Sequence, residues 1–209
     1  MEFKTLDLGL VDFQEAQDAQ KKIFLDVKSG ALKSTLILCR HHPVITLGRQ
    51  ADKKNILISP KELKKREIPV YEIERGGNIT YHGPGQIIAY PIFDLNYFKK
   101  DIHLFLRSLE KVAISLFTDF RVKAAALPGL TGVWINNKKA ASIGIAVRNW
   151  ITFHGLSINI KKNDLFNFQL IRPCGMDITV TSLEEALDKD VRIEAVKEKI
   201  IHKFKGIFN

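Results

Sequence analysis

The chain of 209 residues is poor in cysteine, methionine and tryptophan, with two of each. Cys39 and Cys174 cannot build the disulfide framework of a small secreted domain, so each thiol is either core filler or chemistry. No apolar run approaches the ~18 residues of a membrane span. The N-terminal string MEFKTLDLGLVDFQEAQ carries acids where a secretory signal needs bases. These absences predict a cytoplasmic protein with no membrane partner. Internal repeats, low-complexity stretches and Pro/Gly/Ser linkers are also lacking, so one domain over residues 1–209 is expected.

Like charges never gather into a block of five, so the net charge of +9 is no basic tail. Diffuse positive charge suits nucleic acid or an acidic protein partner. The chain lacks an RNA-recognition or zinc signature, which makes a nucleic-acid-binding module the weaker reading. With 45% hydrophobic and 26% charged residues the composition is that of an ordinary globular protein.

Four regions read as helices. Phe13, Ala16, Ala19, Ile23 and Val27 recur at helical spacing within residues 12–29, and Gly30 stops the run. Ser59-Pro60-Lys61-Glu62 is a capping box with proline at the first helical position. Residues 101–119 carry a stripe of Ile102, Phe105, Leu109, Val112, Ala113 and Leu116. Ser182-Leu183-Glu184-Glu185 is a second capping box, ahead of a helix over residues 190–205. Strands are predicted at Thr35–Arg40, Val44–Leu47, Pro69–Glu74 and Gln86–Leu95. A meander follows over Gly132–Ile135, Lys139–Arg148 and Ile151–Ile160, with Asn136-Asn137 favouring a tight hairpin. Strands grouped between helices predict an α+β fold with a mixed or antiparallel sheet flanked by helices.

Three stretches carry candidate chemistry. The run from Arg75 to Gln86 holds Gly76, Gly77, Gly83 and Gly85, whose backbone can approach a ligand closely. It matches neither a Walker loop nor G-x-G-x-x-G, and plain hairpin turns would also explain it. In the second stretch, Lys139 heads the small-residue run Ala140-Ala141-Ser142-Ile143-Gly144. Lys138 beside it must face the opposite side of a strand, so only one of the two can reach a shared site. In the third, Cys174 sits between Pro173 and Gly175, where a turn can expose a thiol, whereas Cys39 lies in an apolar run typical of an inert one. A free cysteine is only ~3% thiolate at pH 7, and a nearby ammonium that lowers its pKa to ~7 raises that to about half. His82 and His154 stand beside glycines and read as residues of polar turns, while His103 and His202 fall on helix patterns as surface residues. His41-His42 has no ligand-spaced partner, so no metal is expected.

Together the strings RGGNITYHGPGQ at 75–86, LPGLTGVW at 127–134, KAASIGI at 139–145, TFHGLSINI at 152–160 and PCG at 173–175 closely resemble the octanoyltransferase family, the lipoyl(octanoyl) transferases also called lipoate-protein ligase B. The resemblance spans about residues 35–180. It implies a biotin/lipoate protein ligase-like fold, related to class II aminoacyl-tRNA synthetase catalytic domains. The implied reaction moves octanoyl from an acyl carrier protein to a lysine of lipoyl domains. Those domains belong to 2-oxo acid dehydrogenase E2 subunits and the glycine cleavage H protein. By position, Cys174 would be the acyl-thioester nucleophile, and Lys139 the residue that lowers its pKa and relays protons. Arg75, Gly76, Gly77, Asn78, Ile79, Thr80, Tyr81 and His82, then Ser142, Ile143 and Gly144, then Gly155, Leu156 and Ser157 would bind substrate, with His154 auxiliary. No cofactor is implied. Small Ala140, Gly144 and Gly155 are expected to leave room for the acyl chain. The rival within the fold is an ATP-dependent lipoate-protein ligase, which would make an adenylate and would not need Cys174.

Overall fold

The computed structural model describes residues 2–173 and 178–208. Among the described residues nine strands and five α-helices run in the order β1 (Lys4–Val11), α1 (Phe13–Lys28), β2 (Thr35–His41), β3 (Val44–Leu47), α2 (Pro60–Lys65), β4 (Val70–Glu72), β5 (Ile79–His82), β6 (Gln86–Ile92), α3 (Ile102–Asp119), β7 (Val133–Ile135), β8 (Lys138–Arg148), β9 (Ile151–Asn159), α4 (Leu183–Leu187) and α5 (Ile193–Phe208). The large sheet has the order β1-β2-β6-β9-β8-β7, and a small one has the order β4-β3-β5. Only β1–β2 and β3–β4 pair in parallel, so the mixed α+β expectation holds.

The local signals act as read. Ser59 Oγ accepts the Glu62 N–H and Ser182 Oγ the Glu185 N–H, so both serines cap their helices. Asn136 and Asn137 both take positive φ, at 48° and 61°, as the tight β7–β8 hairpin requires. Two strands escape the reading. β1 is an edge strand of mostly exposed residues, so it has no apolar alternation to see. β5 hides inside the glycine-rich run, although Ile79, Thr80, Tyr81 and His82 are all buried.

One face of the large sheet packs against α3 and α5. Leu36, Leu38, Ile87, Ala89, Leu156 and Ile158 meet Phe105, Leu109, Val112, Leu116, Ile200 and Phe204 there. The other face receives α1, whose Ala16, Ile23 and Val27 cover Ile37, Cys39, Ile88 and Tyr90. Gln20, rather than the expected Ala19, is the fully buried residue in the middle of that helix face, at 2% exposed.

Pro91 explains why. It has no N–H to give β9, and the β6–β9 ladder runs from Gln86↔Asn159 only to Ala89↔Leu156. Pairing resumes where Thr152 N–H reaches the Phe93 carbonyl at 2.9 Å and Thr152 Oγ donates to the Pro91 carbonyl at 2.6 Å. Between these points His154 adopts φ 58°, and its N–H finds Gln20 Oε1 at 2.8 Å. The left-handed residue turns His154 toward α1 and Tyr90, where its ring lies 5.1 Å from that of Phe153.

Candidate active site

Beyond the end of α1, between the large sheet and the small one, lies a cavity of about 310 Å³. That is the lower end of the range for small-molecule sites. Its walls bring together most of the residues singled out in the sequence: Arg75, Gly77, Asn78, Ile79, Thr80, His82, Lys139, Ser142, Ile143, Gly144, His154, Gly155, Leu156 and Ser157. Pro173 and Ile178, which flank residues 174–177, line it too. Cys174 lies outside the described residues.

Two residues of the first string point elsewhere. Tyr81 alternates away from His82 along β5. Its ring packs on Phe168 and its hydroxyl accepts the Asn167 side-chain N–H at 2.8 Å. Gly76 is spent on structure, its N–H bound to the Ile145 carbonyl at 2.8 Å.

The two lysines separate as strand geometry demands. Lys138 is exposed and pairs with Glu185 at 2.9 Å. Lys139 is 5% exposed, lines the cavity, and stands 5.2 Å over the Trp134 ring. Trp134 is its direct hairpin partner. The backbone of Lys139 is tied to the segment after residue 178, through Lys139 N–H to the Thr179 carbonyl at 2.8 Å and Thr181 N–H to the Lys139 carbonyl at 2.9 Å. Buried Glu110 of α3 accepts the Gly132 N–H at 3.1 Å and so anchors the end of the Gly129–Thr131 wall.

Arg75 is the second cation of the cavity. Its Nη2 donates to the Thr46 carbonyl at 2.7 Å and to Thr46 Oγ at 2.9 Å, and its Nη1 to the Gly76 carbonyl at 3.1 Å. Gly144 makes this possible, because a Cβ there would stand 2.9 Å from Arg75 Cδ. The room expected for an acyl chain at Gly144 is thus filled by arginine. At Gly155 it is filled by β6, where a Cβ would meet the Ala89 carbonyl oxygen at 2.2 Å. Ala140 belongs to the core on the far face. The apolar part of the cavity comes instead from Phe13, Ile73, Ile88, Leu130 and Trp134.

His82 and His154 are not turn residues. They lie on β5 and β9, 7% and 3% exposed. Burial, then the positive charges nearby, pulls each pKa down to about 3, so both rings are neutral. His154 Nε2 is buried without a hydrogen-bond partner. Cys39 is fully buried, and burial pushes its thiol far above the ordinary range, as an inert core thiol requires. His103 and His202 are exposed. Among the described lining residues no carboxylate stands beside the two cations.

Sequence reasoning missed Phe13, Ile88, Tyr90 and Gln20. Period-two alternation from Ile88 puts Tyr90 on the same face, a signal that was present. Nothing in the sequence announces Phe13, or Gln20, which lies 134 residues from its partner.

Residues 12–205 match the family model of the lipoyl protein ligase A/B catalytic domain. An octanoyltransferase of Thermoanaerobacter sp. (strain X514) is 45% identical over 208 residues, covering 98% of this chain and 90% of that protein. The chain belongs to the octanoyltransferase family. Among solved structures, a bi-partite lipoate protein ligase from Thermoplasma acidophilum superposes with a TM-score of 0.76 at 16% identity, over 99% of this chain and 84% of that one. A biotin protein ligase from Aquifex aeolicus gives 0.54 at 13% identity, over 99% and 68%. These two likenesses confirm the biotin/lipoate ligase-like fold read from the octanoyltransferase strings.

Proposed function

We propose that this octanoyltransferase-family protein moves octanoyl from an acyl carrier protein thioester to a lysine of lipoyl domains, through a thioester on Cys174 and without ATP. The Cys174 thiolate attacks the thioester carbon, and the carbon–sulfur bond to phosphopantetheine breaks. The leaving thiolate takes a proton from the Lys139 ammonium. The acceptor lysine amine then attacks the acyl-enzyme, a carbon–nitrogen bond forms, and Cys174 leaves as thiolate. Lys139 takes back the proton the amine gives up. Thioester exchange is nearly balanced in energy, so no nucleotide needs to be spent.

The observation that carries this reading is the identity with octanoyltransferases over nearly the whole chain, joined to a buried lysine in a cavity whose rim includes Pro173, the neighbour of Cys174. Two cations lining one cavity favour a thiolate and a tetrahedral oxyanion. The apolar wall suits an alkyl chain, and burying ~6 methylenes at ~0.8 kcal/mol each supplies up to ~5 kcal/mol of binding. A net charge of +9 draws acidic carrier and lipoyl domains.

Incubation with octanoyl-carrier protein followed by intact-mass and peptide analysis tests this. An octanoyl adduct on Cys174, lost together with turnover in Cys174→Ala, is expected, and ATP–pyrophosphate exchange is expected to be absent. Exchange, with turnover surviving Cys174→Ala, would establish the ligase reaction instead.

A further inference from the structure

Hydrogen positions at one end of the cavity are dictated by backbone carbonyls. Asn159 donates its amide N–H groups to the carbonyls of Thr181 at 2.9 Å and Lys139 at 3.4 Å. Gln86 donates to the Tyr81 carbonyl at 3.2 Å and to Asn159 Oδ1 at 3.0 Å. Carbonyls only accept, so neither amide can be turned round. Gln86 Oε1 is therefore the atom 2.9 Å from His82 Nδ1, and it can only accept. His82 must carry its hydrogen on Nδ1. With the ring kept neutral by burial, Nε2 is a bare lone pair. It meets no hydrogen-bond partner among the described residues, on a side chain that lines the cavity.

Tyr90 is fixed in the same sense. His41 Nδ1 donates to the Val11 carbonyl at 3.1 Å, so its Nε2 accepts, and the Tyr90 hydroxyl donates to it at 2.8 Å. Burial holds His41 neutral, with its pKa down to about 4. The Tyr90 hydrogen is thus turned away, and the oxygen offers lone pairs to any ligand. The His41 and His82 rings meet edge to face at 6.0 Å, and His82 and Tyr90 line the same cavity.

We propose that His82 Nε2 and Tyr90 Oη form an acceptor-only subsite that grips the two N–H groups of the attacking lysine amine. The inference rests on the octanoyl-transfer reading and assigns the second half of that reaction. An octanoyl thioester offers only acceptors and is suited to the Arg75 and Lys139 side. A neutral primary amine has two N–H donors and one lone pair. Two acceptors engage both hydrogens and leave the lone pair free for the thioester carbon. A pantetheine amide brings one N–H, and its thiol is a weak donor. His82 Nε2 keeps no proton: once the carbon–nitrogen bond has formed, one of the two hydrogens is released from its acceptor to Lys139, and the other stays as the amide N–H.

The test separates the half-reactions in single turnover: loading from octanoyl-carrier protein, then transfer from the loaded enzyme to a purified lipoyl domain. Tyr90→Phe should slow transfer about tenfold and His82→Phe ten- to hundredfold, with loading changed less than about threefold. Gln86→Glu converts the acceptor to a donor by drawing a proton onto His82. Its transfer step should be slow at low pH and recover as pH rises, a profile that a merely loosened fold would not give. Nitrogen-15 NMR of the wild-type protein should report His82 as the Nδ1–H tautomer, unprotonated through pH 6. An Nε2–H tautomer, or variants slowed in loading instead of transfer, would overturn the subsite. A wild-type enzyme that takes up no octanoyl mass would instead overturn the reaction itself.

Discussion

The two faces of the six-stranded sheet bury different chemistry. Against α3 and α5 the sheet presents Leu36, Leu38, Ile87, Leu156 and Ile158, and the partners are phenylalanine, leucine and valine. Past the end of α1 the other face presents Lys139 and His154 to the cavity, where His82 of β5 and Arg75 from the loop before it meet them across from the small sheet, all four under 9% exposed. The first arrangement follows the preference of interiors for apolar side chains. The second does not, since burying a cation costs several kcal/mol before any partner is counted. The contrast teaches that the α3/α5 face holds the fold, while the cavity face carries groups whose presence works against stability. Residues at odds with folding in this way mark functional sites.

Lys139→Met probes that contrast with the largest effect. Methionine fills similar volume without the charge. Turnover should fall about 10²–10⁴-fold, the range for loss of a proton-transfer group. The melting temperature should stay within about 4 °C of wild type, because methionine keeps the packing of the lysine stem against Trp134. A drop beyond about 4 °C, roughly 1 kcal/mol for a chain of this size, would show that Lys139 is structural and break the comparison.

Phe105→Ala probes the opposite face. Phe105 is fully buried, with ring centroids 6.4 Å from Phe93 and 5.4 Å from Phe208. Its loss should cost about 3–5 kcal/mol by denaturant unfolding. Turnover per folded molecule should be unchanged, since no atom of the cavity wall is removed. A fall in turnover without a fall in stability would mean that the faces are coupled.

Much of this division was legible beforehand, for physical reasons. α3 declared itself because its apolar stripe must be covered, which holds from Phe105 to Leu116 while Ile102 at the first turn stays exposed, and the β7–β8 hairpin because two adjacent asparagines tolerate positive φ. Strand alternation required Lys138 and Lys139 to part without saying which enters the cavity: Ala140 and Ala141 both turn to the core at an irregularity opposite Val133 and Trp134, and this puts Lys139 on the side of Ser142 and Gly144. The histidines were misread. Glycine beside His82 and His154 looked like a turn, whereas β5 is a buried strand and β9 bows at His154 because Pro91 withholds a hydrogen bond. That cause sits on another strand, and the compensating Gln20 sits on α1. The glycines were misread in a related way: their missing side chains make space for Arg75 and for β6, not for a ligand.

The smallest expected effect concerns a charge on neither face. Glu184, in the first turn of α4, accepts from Lys161 Nζ at 2.7 Å, from the Lys162 N–H at 3.0 Å and from the Val191 N–H at 3.1 Å. Burial opposes its ionisation, but these donors, Lys161 foremost, hold its pKa down to about 2, below the ordinary 4.5. A carboxylate with a depressed folded pKa stabilises the fold above its unfolded value, and that contribution disappears as pH falls through the folded value. Glu184→Gln should therefore lower the melting temperature at pH 7 by roughly 2–4 °C, and the gap to wild type should close between about pH 4.5 and pH 2. The cavity cations should be blind to this change, so turnover at pH 7 should hold. A gap that persists undiminished at pH 2 would mean that the hydrogen-bond geometry at α4, and not the charge, carries the effect. The buried ionic groups would then divide into those kept for packing and those kept for the reaction, with Glu184 among the former.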